Sequence, residues 1–325
     1  MLLKDWSAFG AVDKKLVARN FKVRVWRVKE KPRYLIDALG IFFLTAFTDL
    51  TVTRWAHTQA YWQVRWGRLL GKKTVVLVGG GADTVDEEWL GRRFSEDHVR
   101  RLVYLLNNAT LLVANSNYIR GTLRRFTSRD DAVVIYDGFD PKEYFNDGRT
   151  KERMVLTVCP INKLDVVRKG IDTLIEAARR MPDVRFVVIG SFLDNSIDRL
   201  KANAPPNVEF TGYVDDAKKL EMMRRAKAYA QLSKLEGCPW AISEAMLCEC
   251  VPVATDTGGT PEVVGDTGYY AKYGDVETTV AALARALGGE KKGAEARARI
   301  VRFLSLDARG EALGREINRL ISSAR

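Results

Sequence analysis

Short apolar runs alternate with stretches of helical spacing along nearly the whole chain. In the first half the apolar runs predict strands at 23–28, 50–53, 74–78, 111–114 and 132–135, after a strand stub at Leu2 and Leu3. The stretches between them predict helices at 11–20, 33–47, 58–70, 95–107 and 117–126. Strands that alternate with helices in this way predict a parallel sheet covered by helices on both faces.

The same alternation repeats in the second half. It predicts strands at 154–158, 185–189, 208–210, 228–231 and 251–255, with helices at 170–180, 196–201, 217–225 and 242–248. The polar, turn-rich stretch 140–153 between the halves is suited to a linker. We therefore predict an N-terminal Rossmann-like domain at 1–147, a C-terminal Rossmann-like domain at 148–302, and a last helix at 303–325 that packs back on the first domain.

The fold class expected from this order is α/β, with two doubly wound domains that face each other across a cleft. The length of 325 residues also fits two domains better than one. Ligands of such open sheets bind beyond the carboxyl ends of the strands, so we expect the site in the cleft.

Charge is unevenly distributed, and this bears on the partners. Residues 1–150 hold 25 Lys and Arg against 17 Asp and Glu, whereas residues 151–325 hold 27 against 24, within a net charge of +11. A basic first domain suits an anionic membrane surface, a phosphorylated acceptor or nucleic acid, and a solvated surface without a partner is the alternative. No helix-turn-helix, aromatic RNA-binding motif or zinc finger is recognisable, so we expect no nucleic-acid partner.

The longest apolar run, 38–48, has eleven residues and is too short to cross a bilayer. It predicts a buried helix or a helix that faces a membrane, where Trp6, Phe9, Trp26 and the stretch 33–47 would supply apolar contacts. The N-terminus lacks a signal-peptide layout, so we expect a cytoplasmic protein, or one that is peripheral at the inner membrane face.

The four cysteines give no sign of a metal site or a disulfide framework. No C-x-x-C pair is present, and the two histidines, His57 and His98, lie far from the cysteines in sequence. We expect reduced thiols and no metal. The cysteines are Cys159, Cys238, Cys248 and Cys250.

Two carboxylates, Glu236 and Glu244, are the leading candidates for chemistry. Glu236 follows a predicted strand and precedes Gly237 and Pro239, so it is expected on a loop, whereas Glu244 is expected on a helix. Each carboxylate can accept two hydroxyl hydrogen bonds from a vicinal diol, and the N–H groups of Cys238, Trp240 and Ala241 suit a phosphate. Taken alone, two solvated surface carboxylates are the alternative interpretation.

Two further segments suit an anionic ligand. After the strand at 251–255, Gly258 and Gly259 permit close backbone approach, with Thr260 as a candidate N-cap, although an ordinary strand-to-helix turn has the same pattern. Arg168 and Lys169 are expected where a loop enters a helix, with Asn162 and Lys163 upstream on that loop. These cations would complement a diphosphate leaving group, or are simply solvated.

The stretch from Glu236 to Glu244 resembles the E-x7-E signature of the retaining glycosyltransferases of family 4. The residues that follow, 245–264, are similar to the family's EAMACGxPVVATDxGGxPEVV pattern, and 210–214 are similar to its FxGYV turn. Arg168-Lys169-Gly170 resembles its KG helix start, 134–140 its VIPNGVD segment, and Asn115-Ser116 its ANS segment. The resemblance covers residues 110–325 well and the first hundred loosely.

The resemblance implies a GT-B fold with the nucleotide sugar on the second domain, the acceptor on the first, and neither metal nor cofactor. It implies that Glu236 contacts the donor hexose, that Glu244 holds the ribose hydroxyls, and that Lys169 pairs with the diphosphate. The remaining donor-binding positions that it implies are Arg168, Lys163, Gly237, Cys238, Pro239, Trp240, Gly212, Tyr213, Gly258 and Gly259.

The acceptor side departs from the family pattern. Many members carry a histidine after a first-domain strand, whereas here the strand at 74–78 runs into glycines, and His57 is a poor replacement. We expect Gly79, Gly80, Asp83 and Gly10 on the acceptor side, with Asp83 facing the acceptor. The expected activity is transfer of a hexose from a nucleotide-diphosphate sugar to a sugar, a lipid-linked acceptor or a membrane-surface glycan. The alternative is a catalytically inactive sugar-nucleotide-binding protein.

Overall fold

Two α/β units make up the protein in a computed structural model, which describes residues 2–4, 8–19, 21–24, 26–28, 34–79, 81–84, 94–289 and 291–322. The first unit holds the chain up to Gly138 together with the residues from Leu306 onward, and the second runs from Phe139 to Ser305. The chain therefore passes between units earlier than the expected boundary at 147, and the second unit ends slightly later than the expected 302.

The first unit contains a six-stranded sheet of order β2-β1-β3-β4-β5-β6, in which all paired strands are parallel. Its elements are β1 (Leu2–Lys4), α1 (Ala8–Ala18), β2 (Trp26–Val28), α2 (Tyr34–Ala46), β3 (Leu50–Arg54), α3 (Thr58–Leu69), β4 (Lys73–Val78), α4 (Gly81–Thr84), α5 (Glu96–Asn108), β5 (Leu111–Ala114), α6 (Asn117–Leu123) and β6 (Val133–Val134).

The second unit contains another parallel sheet, of order β12-β11-β10-β7-β8-β9. Its elements are β7 (Glu152–Val158), α7 (Lys163–Arg168), α8 (Ile171–Arg179), β8 (Arg185–Ile189), α9 (Ser196–Asn203), β9 (Val208–Gly212), α10 (Asp216–Arg225), β10 (Ala226–Gln231), α11 (Trp240–Leu247), β11 (Val251–Thr255), α12 (Thr260–Val264), β12 (Tyr269–Ala271), α13 (Val276–Gly288) and α14 (Lys292–Phe303). The strand order reverses between β7 and β10, which makes this position a topological switch point. The last helix, α15 (Leu306–Ser322), belongs to the first unit.

The central strands form because their side chains are apolar and buried on both faces, as parallel sheets require. In β4 the residues from Thr74 to Val78 are all buried, and in β11 every residue is buried. The helices bury one face: in α5, Leu102, Leu105 and Leu106 are buried, and the Ser95 hydroxyl caps the helix by accepting the N–H of His98. The predicted α/β class, with two Rossmann-like doubly wound domains, is thus confirmed.

Several elements differ from the sequence-based expectations. The stretch expected as a loop at 162–169 contains the short helix α7, and the N-cap of α12 is Gly259 rather than Thr260. The edge strand β12 and the helices α4, α13 and α14 were not predicted. Within the described part of the chain, no helix is both long and apolar enough to cross a membrane.

Candidate functional site

Most of the site residues predicted in the second unit lie beyond the carboxyl ends of β7 and β10, on the two sides of the switch point. The loop after β10 carries Glu236, and the segment after β7 carries Lys163, Arg168 and Lys169. Because parallel strands end at the same edge of a sheet, this topology brings the acidic loop and the basic segment together.

Two glycines lie close to the backbone of the acidic loop. Gly170 has φ +65°, and a Cβ there would lie 2.4 Å from the Leu232 carbonyl oxygen. Gly258 has φ +60°, and a Cβ there would lie 2.4 Å from the Glu236 carbonyl oxygen. The Gly259 N–H donates to that same oxygen at 2.8 Å. Glycines at 170 and 258 therefore allow the backbone to approach this loop closely, at Leu232 and at Glu236 respectively.

The Glu236 carboxylate is paired with both predicted cations. Its Oε1 accepts from Lys169 Nζ at 2.6 Å, Arg168 Nη1 at 3.1 Å and Gln231 Nε2 at 3.2 Å, and its side chain is only 14% exposed. Burial opposes ionisation, but the charges of Lys169 and Arg168 outweigh it and hold the pKa of Glu236 below its ordinary value of 4.5.

Arg168 is shared between two carboxylates. Its Nη2 and Nε donate to Asp165 Oδ1 at 2.7 and 3.0 Å, in addition to the bond to Glu236. Burial would lower the pKa of Arg168, but Glu236 and Asp165 raise it above its usual range. The sequence predicted that Arg168 and Lys169 would be available to a diphosphate. The structure shows both paired with carboxylates, because a largely buried cation needs a counter-charge.

Lys163 stands apart from these contacts. It is the first residue of α7, where Asn162 Oδ1 caps the helix by accepting the N–H groups of Leu164 and Asp165 at 3.0 and 2.9 Å. The Lys163 N–H donates to Asp194 Oδ2 at 2.9 Å, and the residue is exposed. The expectation that Lys163 lies on a loop is therefore wrong, because Asn162 starts a helix there.

Glu244 has a different set of partners. It lies on α11, its side chain is 9% exposed, and its Oε2 is 3.1 Å from Lys219 Nζ on α10. The Tyr144 hydroxyl forms a second hydrogen bond with it. Burial raises the pKa of Glu244, against the opposing effects of Lys219 and Tyr144, whereas Glu244 raises the pKa of Lys219 against the effect of burial. Sequence reasoning missed Lys219 and Tyr144, because neither stands in a recognisable motif.

The remaining residues predicted on the donor side lie at the end of β9 and between Glu236 and Glu244 in the sequence. Gly212 ends β9 with φ +73°, and Tyr213 after it is 77% exposed. Gly237, Cys238 and Pro239 are buried ahead of α11. The Trp240 ring packs edge-to-face on Phe139, with 5.3 Å between ring centroids. Tyr213 is thus the one of these side chains that stands well into solvent.

The residues expected on the acceptor side lie in the first unit. The Asp83 side chain is fully buried, accepts the Gly79 N–H at 3.0 Å and lies 3.5 Å from His57 Nε2. The expectation that Asp83 faces an acceptor is therefore wrong, because its carboxylate is used inside the first unit. Gly10 lies in α1. Gly80 lies outside the described residues.

Within the described ranges, no group of three or more His, Cys, Asp or Glu residues is gathered to hold a metal ion. The four cysteines are buried free thiols.

Comparison with known proteins places the chain in a family. Residues 140–302, half of the chain, match the model of the glycosyl transferases group 1. The chain belongs to this family. The matched segment covers nearly all of the second unit, Phe139–Ser305, which contains Glu236 and Glu244.

Among named relatives, a phosphatidyl-myo-inositol mannosyltransferase of Mycobacterium tuberculosis is 30% identical over 169 residues, covering 48% of this chain and 44% of that protein. One component of the phosphatidylinositol N-acetylglucosaminyltransferase of Arabidopsis thaliana is 31% identical over 140 residues, covering 41% and 31%. The chain thus spans less than half the length of these relatives.

Solved structures resemble nearly the whole chain. Anabaena HepE in complex with UDP gives a TM-score of 0.78 at 18% identity, covering 94% of this chain and 89% of that one. Sucrose-phosphate synthase of Thermosynechococcus elongatus gives 0.76 at 18% identity, covering 92% and 84%. At these identities the likeness concerns the fold, and together with the two parallel-sheet units it confirms the GT-B class.

Proposed function

We propose that this chain is a metal-independent glycosyltransferase that moves a hexose from a nucleotide-diphosphate sugar to an acceptor hydroxyl with retention of configuration. The observation that carries the proposal is the contact between Glu236 and Lys169 at the switch point of the second unit, within a glycosyl transferase family. Carboxylates bind sugar hydroxyls, and a lysine at this edge suits a diphosphate.

We assign different roles to Arg168 and Lys169. Arg168 is held by Asp165 and Glu236, so we assign to it the positioning of Glu236. Lys169 then pairs with the leaving diphosphate and stabilises the negative charge that develops there, in place of a metal ion. Glu236, kept ionised by both cations, accepts hydrogen bonds from hexose hydroxyls and holds the sugar over the diphosphate.

Retention follows from attack on the face that the diphosphate leaves. The acceptor oxygen forms a bond to the anomeric carbon while the bond from that carbon to the phosphate oxygen breaks. The acceptor proton passes to the departing phosphate oxygen, so the products are the glycoside and the nucleoside diphosphate. Glu236 is engaged with two cations and Gln231, which favours a positioning role over that of a covalent nucleophile.

Glu244 is assigned to the ribose. An ionised carboxylate has about four acceptor positions, and Lys219 and Tyr144 occupy two of them. The other two match the two hydroxyls of a ribose, and Tyr213 at the end of β9 suits the base.

On the acceptor side we propose a sugar or a lipid-linked acceptor at the inner membrane face. Two relatives whose names refer to phosphatidylinositol lipids support a lipid acceptor. The alternative remains a catalytically inactive sugar-nucleotide-binding protein, favoured by the glycine that follows β4 where many members have a histidine.

Paired substitutions test the proposal after a thermal-shift screen of nucleotide sugars has identified the donor. Glu244→Gln should weaken donor binding by about tenfold or more, because hydrogen bonds to a charged group are lost. Glu236→Gln should lower kcat roughly a hundredfold with a smaller effect on donor binding, because its contacts matter most in the transition state. Calorimetry and initial rates measure the two effects.

Glu209→Gln, which alters an exposed ion pair with Arg185, is the matched control and should leave both quantities unchanged. Donor binding without any transfer across an acceptor panel would favour the inactive binder. Normal transfer by the Glu236 variant would contradict the proposed mechanism.

A further inference from the structure

One face of the first unit exposes an apolar stripe. Ile36, Leu39, Phe43 and Phe47, on α2 and directly after it, are each more than half exposed. Their spacing of three and four residues places them on one side of the helix, while Ala38 and Ile41 are buried on the other side. An ordinary surface helix carries polar residues on its exposed side, so this face is arranged for an apolar partner.

The neighbouring helix α3 packs against α2 through an indole ring. Trp66 Nε1 donates to the Ala38 carbonyl at 2.9 Å, and its ring packs edge-to-face on Phe42. Trp62 stacks on Trp66, with 5.5 Å between centroids, and Leu69 at the end of α3 is exposed. Tryptophan beside exposed aliphatic and phenyl groups is typical of the interface between water and lipid.

The exposed charges near the stripe are net positive, because Arg65, Arg68, Lys22 and Arg24 outnumber the exposed Asp49, whereas Asp37 of α2 is buried. Helix α3 carries Arg65 and Arg68 and no acidic residue, and both arginines are exposed. Their hydrogen-bond partners are the neutral Tyr61 hydroxyl and the Asn108 side-chain oxygen, so their charge is not cancelled by these contacts. Two more cations, Lys22 and Arg24, line a cavity of about 250 Å³ together with Phe47 and Asp49, next to the C-terminal end of α2.

Charge complementarity selects the partner. In a two-fold dimer through this face, the same patch of both copies would meet, and like-charged arginines would approach one another. An anionic bilayer instead accepts the apolar side chains into its interface and attracts the arginines through its headgroups.

We infer that the face formed by α2 and α3 docks on an anionic lipid bilayer through Ile36, Leu39, Phe43 and Phe47, with Arg65 and Arg68 against lipid phosphates. This inference deepens the membrane part of the proposed function and does not depend on the donor chemistry. Of the other residues expected at a membrane, Trp6 and Arg33 lie outside the described residues, as do the side chains of Phe9 and Trp26.

Vesicle co-sedimentation of the full chain tests the inference. The parent protein should bind phosphatidylcholine vesicles that contain phosphatidylglycerol, bind pure phosphatidylcholine vesicles weakly, and lose affinity as salt is raised. The double variant Phe43→Ser, Phe47→Ser should bind the anionic vesicles at least about tenfold more weakly, because two exposed phenyl rings no longer enter the interface. The double variant Arg65→Gln, Arg68→Gln should bind more weakly and with a smaller salt dependence.

Two control variants remove exposed apolar side chains or exposed arginines from helices other than α2 and α3. Val301→Ser with Phe303→Ser deletes two exposed apolar side chains of α14, and Arg315→Gln with Arg319→Gln removes two charges of α15. Both controls should bind anionic vesicles like the parent protein. Nucleotide binding is measured alongside, so that a failure of the donor chemistry is distinguished from a failure of docking.

Equal vesicle binding by the phenylalanine variant and the parent would overturn the inference. So would self-association in sedimentation velocity that depends on Phe43 and Phe47 without vesicle binding, because the face would then contact a second copy.

Discussion

At the scale of single residues, Glu236 and Glu244 are both largely buried and paired with a lysine, but their pKa values shift in opposite directions. Two cations lower the pKa of Glu236 against the effect of its burial, whereas burial raises the pKa of Glu244. The resemblance assigned Glu236 and Lys169 to the same donor site because both stand in recognisable segments, but it did not predict their ion pair. Lys219 was not predictable, because its contact with Glu244 depends on how α10 packs beside α11.

Lys219 is expected to position Glu244 for the ribose. Lys219→Met removes the cation 3.1 Å from Glu244, so donor affinity should fall by about tenfold, the range expected when a charged hydrogen bond is lost. Lys219→Arg should restore much of the affinity, because it restores the charge. Lys218→Met is the matched control on the same helix, since Lys218 is half-exposed and pairs with Glu221. Calorimetric titration of the donor measures all three; unchanged affinity in Lys219→Met would contradict the assignment.

The pairing of Glu236 makes stability depend on pH. Its folded pKa lies below the ordinary 4.5, so its contribution is fully present above about pH 4.5 and is lost as pH falls through the folded pKa. Glu236→Gln should therefore cost about 1–3 kcal/mol at neutral pH, because Lys169 loses its counter-charge. The difference should shrink at pH values below 4.5. Urea unfolding of both proteins across this range measures it, and a difference independent of pH would contradict the ion pairing.

At the scale of elements, the site depends on how loops are held between neighbouring segments. The sequence predicted that two glycines after β11 would allow close backbone approach, and the structure shows what Gly258 approaches, which is the backbone of Glu236. Helix α7 was missed because it has only six residues, too few to show a helical period. Strand β12 was missed because it is a three-residue edge strand.

Gly258→Ala should damage function more than stability alone explains. The left-handed backbone costs alanine about 1–2 kcal/mol, and the added Cβ also meets the Glu236 carbonyl oxygen at 2.4 Å. Displacement of Glu236 should lower kcat by up to about a hundredfold. Gly274→Ala is the matched control, because Gly274 has φ +76° but no atom within 4 Å of a built Cβ. The Gly274 variant should unfold at a lower temperature but keep the kcat of the parent protein. Equal kcat values for the two variants would show that the close approach of Gly258 to Glu236 is unimportant.

At the scale of the whole molecule, the last helix completes the first unit although the second unit separates them in sequence. Arg309 of α15 donates to Asp13 Oδ1 at 2.7 Å and to the Tyr136 carbonyl at 2.6 Å. Arg54 joins the same cluster by donating to Asp13 and Asp137 at 2.6 and 2.7 Å. All four charged side chains are buried, so the cluster ties α1, β3 and α15 together.

Arg309→Met should destabilise the first unit by about 3–5 kcal/mol, because Asp13 and Asp137 remain buried with one cation between them. Arg315→Met changes an exposed residue of the same helix and should leave the unfolding midpoint nearly unchanged. Thermal or urea unfolding measures the two variants. A similar small effect of both would mean that the cluster contributes little beyond an apolar contact.

Local patterns in the sequence were enough to predict the strands and the kinds of residue at the site. Strands buried on both faces are continuous apolar runs, and site residues lie on the turns after them, so both are local patterns. Tertiary structure alone decided the strand order, the switch point between β7 and β10, the return of α15, the pairing of Lys219 with Glu244 and the burial of Asp83. These features depend on contacts between residues far apart in sequence, whose energies are set by packing and by the need of each buried charge for a partner.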